Sequence, residues 1–217
     1  MNNSSILQLL NISKCEAEVI VSVIIATYRR DTSLKRAIES LLHQTYKNIE
    51  IIVVDDNAEE SWNRKVVEII NEISIHHPII YINNKVNRGS AEARNIGIRR
   101  AKGDYITFLD DDDVYLPQKI QNQLEYMIEN KLDYCITDLD LYDENDILIE
   151  RRTRKFIKKY TKNDLLSYHL MYHLTGTDSL MFRLDYILRI GCFPPINIGD
   201  EFYLMHRAIE AGGKFGY

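Results

Sequence analysis

Four consecutive aspartates, Asp110 to Asp113, follow an apolar segment with the character of a buried strand. Carboxylates held close together repel one another unless a cation lies among them. Oxygen ligands at this density suit Mg²⁺ or Mn²⁺. The alternative is an acidic loop that only favours the positive end of the helix that follows. An EF-hand loop is excluded, because the glycine and the terminal glutamate at its spacing are absent.

A second group of residues could bind phosphate. Arg88, Gly89, Arg94 and Asn95 lie in a loop and at the predicted start of a helix. Backbone N–H groups and guanidinium groups in such a place can approach a phosphate. Arginines are also common on solvated helix faces, so this group alone does not decide between the two interpretations.

Polar residues also follow two other predicted strands. The first strand ends in Thr27, Tyr28 and Arg29, and the second ends in Asp55, Asp56 and Asn57. Ligands bind beyond the carboxyl ends of the strands in open parallel sheets, so these groups and the aspartates are expected to converge on one edge. Tyr28 could stack on a base or pack on the edge of the sheet.

Two further pairs of residues are of types that could act in catalysis or bind a metal. Asp200 and Glu201 open a late helix and could supply a general base, although acids at helix starts also serve as caps. His169 and His173 are four residues apart, but no carboxylate stands at metal-ligand spacing beside them, so they are interpreted as ordinary surface or core histidines.

These residues need a scaffold, and the hydrophobic pattern predicts an α/β fold. Segments rich in β-branched residues alternate with segments of helical period, which predicts a mostly parallel, Rossmann-like central sheet with helices on both faces. The predicted strands are Val19–Thr27, Ile49–Val54, Ile79–Ile82, Tyr105–Leu109, Tyr134–Leu141 and Ser179–Phe182. One predicted helix follows Asp31, one has Pro117 in its first turn and one contains Trp62 to Ile73. The others span Ser90–Ala101, Thr161–Leu170, Leu184–Ile190 and Asp200–Ala211, and Asp31 and Ser90 are the expected caps.

The composition is that of a folded protein. The 217 residues are 45% hydrophobic and 27% charged, which allows a packed core and excludes a small disulfide scaffold. A net charge of -5 gives no general attraction for nucleic acid. The purest apolar run, Val19 to Ala26, is shorter than the roughly 20 residues that span a bilayer, and no export signal precedes it. Cys15, Cys135 and Cys192 lack paired spacing and are expected to be buried thiols in a reducing cytoplasm.

Four blocks of sequence together resemble a known family. They are VSVIIATYRR, SLLHQTYKNIEIIVVDDN, NRGSAEARNIGIRRAKGDYITFLDDDDVYLP and GDEFYLMHRAIEAGGKFGY. In this order and spacing they are similar to the family 2 glycosyltransferases of the A-type (GT-A) fold. The resemblance implies a donor that is a nucleotide-diphosphate sugar, usually a UDP-sugar, and a saccharide or glycoconjugate acceptor. It also implies a divalent cation, Mn²⁺ or Mg²⁺, inversion at the anomeric carbon, and a role in polysaccharide or glycoconjugate synthesis.

The resemblance also implies roles for individual residues. Thr27 and Tyr28 would line the base pocket with Arg29 beside them, and Asp56 would accept a hydrogen bond from the base. Arg94 would lie on the phosphate side, Asp110 and Asp111 near the ribose, and Asp112 would bind the metal. The general base is expected to be Asp200, which the residue type and the preceding Gly199 favour, and the alternative is Glu201, which the apolar rhythm of the helix favours.

The resemblance implies one domain over residues 1–217 in two halves. A nucleotide-sugar-binding half spans about 19–113 and an acceptor-binding half about 114–217. Family members continue beyond the position of Tyr217, so a truncated catalytic core is expected. The expected location is the cytoplasm, at the periphery of the inner face of the membrane.

Two other functions compete with this interpretation. A nucleotidyltransferase needs a glycine-rich loop after the first strand, and the segment ATYRRDTS contains no glycine. A catalytically silent nucleotide- or sugar-binding module of the same fold stays open, and metal-dependent turnover of a nucleotide sugar distinguishes it from an enzyme.

Overall fold

The computed structural model describes residues 19–74, 77–196 and 198–217. The strands are β1 (Val21–Thr27), β2 (Ile49–Asp55), β3 (Ile79–Asn83), β4 (Tyr105–Phe108), β5 (Tyr134–Cys135), β6 (Leu139–Tyr142), β7 (Leu148–Arg152), β8 (Met181–Arg183) and β9 (Phe215–Gly216). The α-helices are α1 (Thr32–Leu42), α2 (Glu60–Ser74), α3 (Ser90–Arg100), α4 (Lys119–Asn130), α5 (Lys162–Tyr172), α6 (Leu184–Arg189) and α7 (Asp200–Glu210), and a single 3₁₀ turn spans Thr177–Ser179.

Seven strands form one sheet in the order β3-β2-β1-β4-β8-β5-β9. Every neighbouring pair is parallel except those that β8 makes with β4 and β5. The chain adds β2 and β3 on one side of β1 and then returns to add β4 on the other side. Strand order therefore reverses between β1 and β4, and a crevice is expected at the carboxyl ends of these two strands.

Helices cover both faces of the sheet, as the sequence predicts. Along β1 the side chains of Val23 and Ile25 enter one core with α1, α2 and α4, while Ile24 enters the other core with α3, α5, α6 and α7. Because successive side chains point to opposite faces, a strand covered on both sides is apolar throughout. This explains why β1 and β2 appear as continuous hydrophobic runs in the sequence.

Helix α3 lies unusually close to the sheet, and Gly97 makes this possible. A Cβ at Gly97 would come within 2.6 Å of the Ile24 side chain on β1. The close approach buries both polar and apolar residues of the helix, including Arg94 and Asn95. A helix with an apparently polar sequence is therefore a core helix, positioned with its first turn at the crevice.

Three local predictions are corrected. The predicted strand Tyr134–Leu141 is two strands, because the chain leaves the central sheet after Cys135 and β6 pairs with β7 in a separate hairpin. A continuous apolar pattern does not reveal such a change of partner. The N-cap of α3 is Gly89 and not Ser90, and Pro117 precedes the Gln118 N-cap of α4 rather than lying in its first turn.

Other predictions are confirmed or fall outside the described part of the chain. Asp31 caps α1 as expected, accepting a hydrogen bond from the Thr32 N–H. Cys135 is buried, whereas Cys192 is only partly buried, and Cys15 lies outside the described residues. None of the helices in the described ranges is long and apolar enough to cross a membrane.

His169 joins α5 to α7 inside the second core. Its Nε2 lies 2.9 Å from the Phe202 carbonyl oxygen, its Nδ1 accepts a hydrogen bond from the Leu174 N–H, and its ring stacks on Phe202. This geometry requires a neutral ring with the proton on Nε2. Burial lowers the pKa of His169 from 6.5 to about 4, against the opposing effect of the Phe202 carbonyl, and positive charge on His206 or His173 would lower it further.

This neutral histidine makes the stability of the fold sensitive to acid. The unfolded chain binds a proton at His169 near pH 6.5, whereas the folded chain resists it until about pH 4, so stability is lost between these values as the pH falls. His169→Phe should therefore cost more stability at pH 7.5 than at pH 4.5, measured as the difference in Tm from wild type. Leu165→Ala, which removes buried apolar contacts on the same helix and no titratable group, is the control and should give the same difference at both values. Parallel Tm curves for wild type and His169→Phe would contradict this account.

Candidate active site

A cleft of about 400 Å³ opens at the carboxyl ends of β1, β2 and β4, beside the first turn of α3. Its position is the point where strand order reverses. The residues that line it are Ala26, Thr27, Tyr28, Arg30, Asp56, Asn87, Gly89, Ser90, Ala93, Arg94, Asp110, Asp111 and Asp112. The convergence of strand ends expected from the sequence is therefore present in the structure.

Three of the predicted site residues do not line this cleft. The Arg29 side chain pairs with exposed Glu59, while its backbone N–H donates to the Asn57 side chain. Asp200 and Glu201 lie behind the cleft at the start of α7, and Asp200 reaches it only through Arg94.

Asp56 organises the loop that leads into α3. Its buried carboxylate accepts hydrogen bonds from the Asn84 side chain and from the backbone N–H groups of Arg88 and Gly89, at 2.8 to 3.0 Å. Gly89 has a φ of 81°, a conformation that favours glycine. Most of the acceptor capacity of Asp56 is thus used within the chain, and this fixes the loop against the end of β2.

The acidic loop is held to the first strand by opposite charge and by a backbone hydrogen bond. The Tyr28 N–H donates to Asp111 at 3.1 Å, and Arg30 contacts Asp112 at 2.8 Å and Asp111 at 3.6 Å. Burial raises the pKa of Asp111, and the Thr27 hydroxyl and the Tyr28 amide oppose this rise. Arg30 thus offsets part of the repulsion within the loop.

Arg94 connects the acidic loop to the start of α7. Its guanidinium contacts Asp110 at 2.7 Å and Asp200 at 3.2 Å, and its Cζ lies 5.5 Å from the centroid of the Phe193 ring. Burial lowers the pKa of Arg94, but the charges of Asp110 and Asp200 outweigh it and raise the pKa overall. The arginine stays charged and joins two segments of the chain about 90 residues apart, Asp110 and Asp200.

Asp178 belongs to this network and was missed by the sequence analysis. It lies on the 3₁₀ turn before β8 and accepts a 2.7 Å hydrogen bond from the Asp110 N–H. Burial, followed by repulsion from Asp110, raises its pKa, and Asp113 is hydrogen-bonded to it. Because β8 is antiparallel, its amino end lies at the edge where the parallel strands end. A prediction of that reversed direction would have brought Asp178 to the site.

The acidic residues form two groups. Carboxylate oxygens of Asp110, Asp113 and Asp178 lie within 4.8 Å of one another, a donor set that suits Mg²⁺ or Mn²⁺. The predicted metal ligand, Asp112, is not in this group, since its half-exposed side chain lies in the cleft and pairs with Arg30. Both groups share the same loop, so either could present oxygen atoms to a cation.

The two acids that begin α7 have different surroundings. Asp200 is buried and paired with Arg94, whereas Glu201 is partly exposed and accepts a hydrogen bond from the hydroxyl of buried Thr177. Thr177 immediately precedes Asp178, so one turn of chain contacts both Glu201 and the acidic loop. The first-turn acids of α7 are thus built into the network rather than being free helix caps.

Comparison with known proteins places these features in context. The sequence profile described as Glycosyl transferase family 2 matches residues 22–187. The Escherichia coli protein WfaP, named as a UDP-Glc:alpha-D-GlcNAc-diphosphoundecaprenol beta-1,3-glucosyltransferase, is 41% identical over 215 residues, covering 90% of this chain and 81% of WfaP.

Solved structures share the fold at low sequence identity. S. aureus TarS 1-349 in complex with UDP-GlcNAc has a TM-score of 0.72 and 17% identity, covering 90% of this chain. The mannosyltransferase PcManGT from Pyrobaculum calidifontis, in complex with GDP-Man and Mn²⁺, has a TM-score of 0.69 and 14% identity, covering 96%. The chain spans only 54% and 61% of these two structures. They are GT-A glycosyltransferases, and the predicted fold class is confirmed.

The arginine at the centre of the network gives a direct test of these contacts. Arg94→Met should destabilise the protein by about 3 kcal/mol, the lower end of the range for removing one partner of a buried ion pair, because Asp110 is partly exposed. Arg99→Met is the matched control on the same helix, since Arg99 makes an exposed pair with Glu92 and should cost less than about 1 kcal/mol. Equal losses in urea unfolding would show that Arg94 does not connect the site.

Proposed function

Because this chain belongs to the glycosyl transferase family 2, we propose that it is an inverting enzyme that transfers a sugar from a UDP-sugar to a hydroxyl group of a saccharide acceptor. The observation that carries the proposal is the cleft at the switch point, where a stacking side chain, a buried arginine and an acidic loop meet. Family membership gives the class of enzyme, and the contacts in this cleft support the finer assignment.

The donor is proposed to lie in the cleft with its base against the end of β1. Tyr28 is partly exposed and offers a ring face for stacking, and Thr27 is beside it. The loop held by Asp56 presents the first turn of α3 to the diphosphate, where the positive end of the helix favours an anion. Three donors share the Asp56 carboxylate, with the Arg88 N–H divided between its two oxygens, and an imide N–H of a pyrimidine base would be a fourth donor within its capacity. The names of WfaP and of the TarS complex include UDP-sugars, in agreement with this choice.

Asp112 is proposed to hold a divalent cation at the mouth of the cleft, with Asp110 close by. A cation bound there would stabilise the negative charge that develops on the leaving diphosphate. Arg30 would have a separate role beside this cation. Arg30 now neutralises Asp112 from an exposed position, and its long side chain can move aside when another positive charge replaces it.

Glu201 is proposed as the general base, with Asp200 as its alternative. Asp200 is buried and its carboxylate contacts the guanidinium of Arg94, so it is poorly available to a substrate proton. Glu201 accepts from Thr177 and keeps further lone pairs free. The contacts therefore favour Glu201, whereas the sequence alone favours Asp200. Either acid would take the proton of the acceptor hydroxyl as that oxygen attacks the sugar.

The acceptor is proposed to be a saccharide linked through diphosphate to a polyprenol lipid. This proposal is based on the name of WfaP, which is 41% identical to this chain and covers 90% of it. The donor half is proposed to extend to about residue 113 and the acceptor half from about residue 114. Thr177, Asp178 and the start of α7 would then be the contribution of the second half to the reacting centre.

The proposed donor site can be tested by ligand binding. UDP should bind more tightly with Mn²⁺ than with chelator, and Asp112→Asn should remove most of that difference, because the carboxylate that holds the cation is lost. Isothermal titration with UDP, ADP and GDP provides the measurement, with wild type expected to prefer UDP. Asp113→Asn is the comparison within the same loop. Loss of the Mn²⁺ effect in Asp113→Asn alone would move the cation to the group with Asp178, and UDP binding that is independent of metal would overturn the metal proposal.

Kinetic and binding measurements can distinguish the role of the general base from that of the residues that bind the donor. Glu201→Gln should lower kcat for sugar transfer by about 10²- to 10⁴-fold and leave the affinity for UDP nearly unchanged. Asp200→Asn should lower thermal stability more than Glu201→Gln, because it weakens the pair with Arg94. The matched measurements are transfer rate, UDP affinity and Tm for both variants. A larger loss of kcat in Asp200→Asn would move the base to Asp200, and UDP binding without turnover in wild type would favour the silent binding module.

A further inference from the structure

An apolar rim lies at the end of α5 and the start of α7, which pack together through His169 and Phe202. Five large side chains form it, each more than half exposed: Leu170, Met171 and Tyr172 at the end of α5, and Ile198 and Tyr203 at the start of α7. Successive helix residues are about 100° apart, so three consecutive exposed side chains mean that the last turn of α5 projects from the body of the protein. Exposed apolar residues gathered in this way mark an interaction surface more often than scattered ones do.

Ring contacts join the two parts of this rim. His173, which follows α5, meets the Phe202 ring at 5.3 Å between centroids, and Phe202 meets Tyr203 at 5.6 Å. Phe202 is next to Glu201 in the first turn of α7. The apolar rim is therefore adjacent to the proposed general base and the acceptor side of the site.

A basic segment runs beside α5, from the helix end that carries the apolar rim to the first turn of the helix. Residues 151–162 contain seven lysines and arginines and no acid, in a chain whose net charge is -5. Phe156 fixes this segment to α5, with its ring 4.5 Å from that of Tyr172. Lys155, Lys158 and Lys159 are exposed, and within the described ranges none of them pairs with a carboxylate. Positive charge is thus kept unpaired beside an apolar rim.

We propose that the apolar rim and the basic segment together bind the surface of an anionic lipid bilayer. Lysines beside a negatively charged leaflet are attracted within about a Debye length, roughly 10 Å at 0.1 M salt. The apolar side chains then enter the interface between headgroups and acyl chains. A local basic surface attracts anionic lipid even though the net charge of the chain is -5. The biological reason rests on the proposed function, since a lipid-linked acceptor would be met at that surface.

Vesicle flotation tests the proposal without donor or acceptor. Wild-type chain should float with phosphatidylcholine vesicles that contain 30% phosphatidylglycerol at 0.1 M NaCl, and binding should fall at least fivefold with pure phosphatidylcholine or at 0.5 M NaCl. The triple variant Lys155→Glu, Lys158→Glu, Lys159→Glu should lose at least tenfold in partition coefficient. The double variant Leu170→Ser, Met171→Ser should lose a similar factor.

The matched control carries the same change of charge elsewhere. Lys47 and Lys102 are exposed and precede β2 and β4, and exposed Arg100 ends α3, so all three lie at the opposite edge of the sheet. Their triple change to Glu should bind vesicles within twofold of wild type, and equal losses in the two triple variants would reduce the effect to net charge and overturn the proposal. So would an absence of binding by wild type with a normal melting curve. UDP affinity, measured in the same samples, reports separately on the proposed function.

Discussion

The ion pairs of Arg94 are the interaction on which the rest of the site depends. Asp110 belongs to the loop after β4 and Asp200 to the first turn of α7, and two carboxylates brought together in a partly buried place repel each other unless a cation or a proton lies between them. Arg94 can reach both because α3 lies close to β1, and Gly97 permits that approach. The spacing of a helix from a sheet thus determines where two acids meet.

A second set of contacts also joins the acidic loop to the start of α7, through the turn that precedes β8. The 3₁₀ turn Thr177–Ser179 presents Thr177 to Glu201 and Asp178 to the backbone of Asp110. The acidic loop is consequently held from α3 on one side and from β8 on the other. A loop with four adjacent carboxylates would otherwise spread under its own repulsion, and these contacts keep it in a defined shape before any ligand arrives.

Much of this arrangement could be predicted from the sequence, and the failures have definite physical causes. Strands β1 and β2 are buried on both faces, so their unbroken apolar runs identified them and located Thr27 and Asp56 at strand ends. The mostly buried strand β4 located the acidic loop in the same way. Asp178 was missed because its place depends on the direction of β8, which a three-residue strand does not reveal. The split of Tyr134–Leu141 was missed for a similar reason, since hydrophobic pattern does not state which strand is the partner. The sequence favours Asp200 as the general base, whereas the contacts favour Glu201. The difference arises because the partner of Asp200, Arg94, lies 106 residues earlier in the chain and has no local sequence signature.

The antiparallel strand β8 also bears on the order in which the chain can fold. Strands β1 to β4 join through successive crossovers, whereas β8 enters beside β4 from far along the chain, with Tyr105 opposite Arg183. Loop-closure entropy rises only slowly with length, by about 0.6 kcal/mol for each doubling, but distant pairings still form late and slowly. The proposed donor cleft is lined by residues between 26 and 112, in the early part of the chain. We expect the acids of α7 and the turn at Asp178 to join after β8 has inserted, so a partly folded chain would possess the proposed donor cleft before the proposed reacting centre.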